Sequence, residues 1–256
     1  MDQHVEGKKA VTETLVNALR SDEFILFAQP IVALNAKPGG PGFQEILVRF
    51  QEEEQKLLPP GSFIPVLESC GLMHYLDRWV ASRTVKWVRT FCKLRPGDIP
   101  PRNSINVAPD TLDDRGFARY VETKIRDYQV PACAFSFEIS MNDALDNVAQ
   151  VESLIARLKP LGCAFAFAAF DGSSESFELL TRFRADFVKI GINLVGACHR
   201  DPHARTNLET LHLRCREGGY QTIAEHVERE ETLGILREIG VNFAQGYHMG
   251  LPQPLE

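Results

Sequence analysis

Residues 135–170 read FSFEISMNDALDNVAQVESLIARLKPLGCAFAFAAF. Two short apolar runs, FSFEIS (135–140) and AFAFAAF (164–170), flank a segment with helical spacing over 143–159. Apolar runs of this length bounded by turn residues read as buried strands, and the separator suits a crossover helix. The stretch therefore reads as one strand–helix–strand unit with parallel strands. The fold depends on how many such units the chain holds.

Upstream, SINVA (104–108) reads as a strand followed by a helix at 110–127, with further helices at 62–71 and 77–92. Before them, FILFAQPIVAL (24–34) and FQEILVRF (43–50) read as two strands around the turn-rich NAKPGGPG (35–42), which makes a hairpin. Downstream come a helix at 174–183, strand FVKI (187–190), a helix near 202–217 and strand QTIAEHV (221–227). A helix at 229–239 and a short strand FAQGY (243–247) complete the chain. About seven or eight alternating units in a chain of this length point to a (β/α) barrel. The Pro-rich LRPGDIPPRN (94–103) does not interrupt the alternation, and no internal repeat appears. The expected organisation is a linker helix within residues 1–20, built on KKAVTETLVNALR (8–20), and one barrel over 21–256.

The 256 residues are 44% hydrophobic and 24% charged, ordinary globular material with enough apolar content for a sizeable core. A formal charge of −6 argues against bulk nucleic-acid binding but leaves room for a local basic pocket. No run of about 18 apolar residues predicts a membrane span, and MDQHVEGKKA lacks the apolar core of a signal peptide. Six cysteines are scattered without a CxxC or a Cys/His cluster. They read as reduced structural thiols of a cytoplasmic protein, with no zinc site.

In such a barrel, chemistry sits at the C-terminal ends of the strands. The polar residues on or just after the strands are Gln29, Glu45, Arg49, Asn106, Glu138, Lys189, Glu225, Glu228 and Gln245. Taken singly, strand-end carboxylates and lysines are more often solvated or paired than functional. Several facing one mouth are harder to dismiss. Carboxylates with an Asn amide are oxygen ligands suited to Mg²⁺ or Mn²⁺, and a lysine can hold a water or a phosphate. Phe165, Phe167, Trp79 and Trp87 read as core, EEEQK (52–56) as a solvated loop, and EREE (228–231) as a helix N-terminus.

The motifs QPIVAL, EILVR, FIPVLESCGLMHYLDRWV, SINVAPDTL, FEIS, DFVKI, AEHVE and QGYHMGLPQP stand here in order. Together they resemble the successive motifs of the EAL-type cyclic di-GMP phosphodiesterase domain, over essentially the whole chain. The resemblance implies a TIM-like (β/α)8 barrel with an antiparallel first strand, in agreement with the hairpin. It implies that Glu45, Asn106, Glu138 and Glu225 match metal ligands, Lys189 the lysine near the attacked phosphate, and Gln245 a residue beside the catalytic water. Gln29, Leu47, Arg49, Asp77 and Arg78 fall in motifs that shape the dinucleotide site, with Arg49 a phosphate contact. Glu228 matches the second glutamate of the AEHVE block, His226 is a candidate base contact in it, and Pro252 lies in the QGYHMGLPQP motif.

The departures from the family cluster at the metal site. Where the family carries Asp-Asp-Phe-Gly-Thr-Gly, this chain has Ala168, Ala169, Phe170, Asp171, Gly172 and Ser173. Gly191 and Met141 stand where two further family carboxylates would be. Asp171 is not a shifted replacement on this reading, because a one-residue slip would turn a strand's side chains to the opposite face. Without a bridging carboxylate, Mg²⁺ or Mn²⁺ binding is expected to be lost or weak, and no cofactor is required. Losing a metal-activated hydroxide costs several kcal/mol of barrier, each ~1.4 kcal/mol a factor of ten.

The leading expectation is therefore a catalytically inactive domain that binds cyclic di-GMP as a receptor and signals to a partner protein or neighbouring domain. The alternative is a protein-interaction domain that binds neither metal nor nucleotide, and a third is residual hydrolysis through one metal. The retained Arg49 and Asp77 favour the receptor; unpaired Glu45, Glu138 and Glu225 would repel an anionic ligand unless Lys189 neutralises part of their charge. Barrel-helix dimerisation is common in the family, so a homodimer is allowed.

Overall fold

A computed structural model describes residues 16–19, 21, 23–35, 41–51 and 57–255. Its principal elements are β1 (Phe24–Ala33), β2 (Phe43–Gln51), α1 (Pro60–Ser69), α2 (Met73–Leu94), β3 (Arg102–Asn106), α3 (Pro109–Asp113) and α4 (Phe117–Tyr128). They continue through β4 (Phe135–Ser140), α5 (Met141–Asp146), α6 (Val148–Leu158), β5 (Ala164–Ala168), α7 (Ser174–Phe183) and β6 (Phe187–Ile190). The chain closes with α8 (Ile192–Val195), α9 (Pro202–Glu217), β7 (Gln221–Ala224), α10 (Glu230–Ile239) and β8 (Phe243–Gln245). Of the linker helix expected at 8–20, residues 16–19 are helical and the rest lies outside the described residues, as does EEEQK.

Strands β2 to β8 pair in parallel in the order β2–β3–β4–β5–β6–β7–β8, and β1 pairs antiparallel with both β2 and β8. The sheet is thereby closed into a TIM-like barrel with an antiparallel first strand. The expected hairpin is present, with Gln29 opposite Glu45 and Phe27 opposite Leu47.

Two expected helices are each split. The one at 110–127 breaks into α3 and α4, where Asp114 accepts the Gly116 N–H at 2.9 Å. A Cβ at Gly116 would lie 2.8 Å from Arg78 Nη2, so a larger residue there would displace the end of the Arg78 side chain. The one at 143–159 breaks at Asn147, whose φ of −128° leaves the helical region and whose amide donates to the Asp143 carbonyl. Strand β5 stops at Ala168 instead of Phe170, because Ala169 turns into the left-handed region with φ +52°.

Alternation along the strands sorts the interior. Ile31, Phe43, Ala164, Ala166, Phe187 and Ile223 form a buried apolar cluster, with Phe243 packed on it. Phe43 and Phe187 meet with ring centroids 5.0 Å apart. The opposite faces carry Phe137, Phe165 and Phe167, fully buried in the larger core that includes the helices, and Trp79 and Trp87 pack against it. Two residues beyond the apolar floor on each strand, the interior changes character. Among the described residues no helix is long and apolar enough to cross a membrane.

Candidate ligand site at the barrel mouth

Stepping two residues along from the floor gives one mouth residue per strand: Gln29, Glu45, Asn106, Glu138, Ala168, Lys189, Glu225 and Gln245. Seven are polar; β5 supplies a methyl group.

Lys189 is the hub. Its ammonium lies 2.7 Å from Glu138 Oε1, 2.9 Å from Glu45 Oε2 and 3.1 Å from Glu225 Oε1, with the lysine side chain 1% exposed. Of its three donors, two make hydrogen bonds, to Glu45 and Glu138, and Glu225 stands beside it as an ion-pair partner. The oxygens of Glu45 and Glu138 take further donors. Glu45 Oε1 accepts from Asn106 Nδ2 at 2.9 Å, Glu45 Oε2 from Gln245 Nε2 at 2.7 Å, and Glu138 Oε2 from the Ser104 hydroxyl at 3.1 Å. Gln245 also donates to Gln29, which in turn donates to the Gly250 carbonyl.

The charges follow from this packing. Burial disfavours an ionised Glu45, but the Lys189 charge and the Asn106, Gln245 and Lys189 hydrogen bonds outweigh it and lower its pKa. Glu138 is pushed up to about 7 by burial, aided by the neighbouring Glu45 and Glu225 charges, against the pull of Lys189. Burial alone would lower Lys189; the three carboxylates instead hold it well above the usual lysine range. Ionised glutamates around a single ammonium leave a net negative hub, damped where Glu138 keeps its proton.

Leu47 and Arg49 stand two and four residues beyond Glu45 on the same face of β2, toward the open end. A cavity of about 300 Å³ opens beside them, lined by Leu47, Asp77, Asn106 and Asp143 among others. Across the barrel, a cavity of about 380 Å³ lies over the loops after β6 and β7, lined by His199, Arg200, His226, Glu228 and Arg229. Two larger hollows, about 450 and 510 Å³, lie between outer helices and away from the mouth residues.

A family model for the EAL domain matches residues 12–252. The chain belongs to the EAL domain family. It is 29% identical over 255 residues to the cyclic di-GMP phosphodiesterase PdeF of Escherichia coli (strain K12), covering 100% of this chain and 33% of that protein. It is 30% identical to the cyclic di-GMP phosphodiesterase PdeB of Shewanella oneidensis, over 94% of this chain and 28% of that one. The chain thus spans about a third of the length of these relatives. Among solved structures, the FimX EAL domain of Pseudomonas aeruginosa bound to c-di-GMP superposes with TM-score 0.87 at 24% identity, over 95% and 96% of the two chains. The Xanthomonas citri FimX EAL domain in complex with c-diGMP gives 0.90 at 19%, over 100% and 98%.

Within this EAL domain the other expected site residues have distinct places. Asp77 is buried and accepts the Ala108 N–H at 2.8 Å and the Thr111 hydroxyl at 2.6 Å, which fixes the loop after β3. Burial raises its pKa to about 7 despite those bonds. Arg78 is turned from the hub: it pairs with Asp114 at 2.6 Å and lies over Tyr120, tying α2 to α4. His226 and Glu228 are exposed in the loop after β7, and Pro252 is half-buried in the C-terminal segment. Asp171 accepts from the Ser173 N–H and the Ser176 hydroxyl at the start of α7, so its carboxylate serves the helix N-terminus.

Sequence reading missed Ser104 and Phe27. Both were within reach of the alternation rule, since Ser104 is two residues before Asn106 and Phe27 two before Gln29 on the same strand faces. A hydroxyl and a phenyl ring simply carry no signal of a polar site on their own.

Proposed function

We propose that this EAL domain is a receptor that binds cyclic di-GMP without hydrolysing it. The observation that carries the reading is Lys189, whose ammonium is the cation among Glu45, Glu138 and Glu225 while the fifth strand ends in Ala168 and Ala169.

The residues present do not fit a two-metal centre. Such a centre needs carboxylate lone pairs that bridge and flank two cations. Here the oxygens of Glu45 and Glu138 accept from Lys189, Gln245, Asn106 and Ser104, and β5 offers no oxygen donor from its last side chain. Asp171 is committed to α7. No hydrolytic step is therefore assigned to these residues.

Binding needs less. The ligand is a flat, bis-anionic dinucleotide with two purine bases. Arg49 supplies a guanidinium at the rim, and guanidinium groups recognise phosphate oxygens through paired N–H donors. The cavities beside Leu47 and Asp77 and beside His226 offer room for purine bases. The surviving glutamates do not stand as bare charges: Lys189 neutralises part of them, and Asn106, Gln245 and Ser104 donate to Glu45 and Glu138. Known relatives are named as phosphodiesterases, while two FimX EAL structures hold c-di-GMP.

Calorimetric titration of cyclic di-GMP into the protein, with Mg²⁺ and then with EDTA, tests the reading. Micromolar or tighter binding in both buffers, weakened tenfold or more by Arg49→Ala, is the expected result. Loss of a charge-assisted hydrogen bond of roughly 1.5–3 kcal/mol sets that scale. Heat in neither buffer leaves the protein-interaction reading in its place, and turnover in Mg²⁺ restores the enzyme.

A further inference from the structure

Arg49 is held by an unusual pair of contacts. Its Nη1 donates to the carbonyl of its own neighbour Val48 at 2.9 Å, and its Cζ lies 5.3 Å from the centroid of the Phe27 ring. Among the described residues it has no carboxylate partner. Phe27 sits on β1 opposite Leu47, two pairs along from Ile25–Arg49 on the same face, so its ring lies diagonally under the guanidinium. Its backbone is fixed on both sides: it faces Leu47 across β2 and Pro254 of the C-terminal segment on the other edge. The ring is half-buried and shares the Gln29 face of β1, the face that carries the mouth residues.

The 5.3 Å separation lies within cation–π reach, and a guanidinium held over a ring by its face keeps its edge of N–H groups for other partners. With Nη1 anchored to Val48, no other hydrogen bond occupies that edge among the described residues. We infer that Phe27 is the positioning residue for Arg49, holding the guanidinium edge-on to the phosphate of a nucleotide at the mouth. The inference rests on the receptor reading for its ligand, but not for its geometry. A flexible arginine without such a platform would lose rotamer freedom on binding, and a preformed one does not.

The test combines binding with a ligand-free readout. Phe27→Leu keeps an apolar side chain, Phe27→Tyr keeps the ring, and thermal melts check that both fold like the wild type. In titrations with cyclic di-GMP, Phe27→Leu is expected to raise Kd about two- to thirtyfold, the range of a cation–π contact. Phe27→Tyr should stay within about twofold of wild type, and Phe27→Leu should add nothing on top of Arg49→Ala. An unchanged Kd in Phe27→Leu, a Tyr variant as weak as the Leu variant, or additive effects would each overturn the inference. If the wild type takes no nucleotide, the receptor reading falls and the Arg49 Nε–H resonance decides alone. A ring-current shift present in the wild type and the Tyr variant but lost in Phe27→Leu upholds the inference; the same shift in all three sinks it.

Discussion

Lys189 Nζ lies 2.7 Å from Glu138 Oε1, and the two residues are 51 positions apart on β6 and β4. A buried ion pair of this kind contributes little against an apolar substitute, yet removing one partner leaves a charge with no counterpart. Lys189→Met should therefore destabilise the barrel by about 3–5 kcal/mol in urea unfolding. Adding Glu138→Gln to that variant should recover part of the loss. A Lys189→Met protein that unfolds at the wild-type urea concentration would mean the hub carries no electrostatic load.

The alanines at the end of β5 can be tested by putting oxygen back. In the wild type, Mn²⁺ against EDTA should leave the melting temperature unchanged. The Ala168→Asp/Ala169→Asp variant should be less stable than wild type in EDTA, since it adds like charges to the hub, and should gain stability with Mn²⁺. Binding linkage gives about 2.7 kcal/mol at a hundredfold excess over Kd. An equal Mn²⁺ shift in both proteins would show that the surviving donors already hold a cation.

Ala169 has φ +52°, a conformation costing an L-residue roughly 1–2 kcal/mol. Glycine removes that strain but gives back about 0.4–1 kcal/mol through unfolded-chain entropy. Ala169→Gly is thus expected to stabilise by up to about 1 kcal/mol, whereas Ala169→Val at the same position should destabilise. Denaturant midpoints order the three proteins, and a glycine variant below the wild type would contradict the strain.

Asp77 gives the protein a pH dependence of definite sign. Its folded pKa is about 7, against about 3.9 for a free aspartate. Between those values the folded state holds a proton that the unfolded chain has released, so stability from this group falls as pH rises from about 4 to 7. Asparagine mimics the protonated form and can still accept from Ala108 and Thr111. The drop in melting temperature from pH 5 to pH 8 should be smaller in Asp77→Asn; an undiminished drop would place its origin elsewhere.

The barrel was legible because β-strand alternation and helical spacing are local signals, and FSFEIS and AFAFAAF carry them plainly. The antiparallel first strand was visible in the turn residues between β1 and β2. What local reading could not see were the corners: the α3–α4 break depends on Arg78 reaching across to Asp114 and on the space beside Gly116. Lys189 posed the same problem. Sequence reading allowed it to pair with one glutamate, but convergence on Glu45, Glu138 and Glu225 arises only when three distant strands meet. Arg78 was expected among the site-shaping residues because it falls in a family motif; on a helix, adjacent residues point about 100° apart, so Asp77 meets the loop after β3 while Arg78 meets Asp114.

The antiparallel first strand also decides where the barrel is wired. Because β1 runs against its neighbours, the chain enters it at Glu23 on the mouth side, where an all-parallel barrel would bring it in at the floor. The segment Gln253–Pro254 leaves along Phe27 and Ala28 of that same strand. Incoming and outgoing chain are thus both tied to the one strand whose Phe27 lies under Arg49.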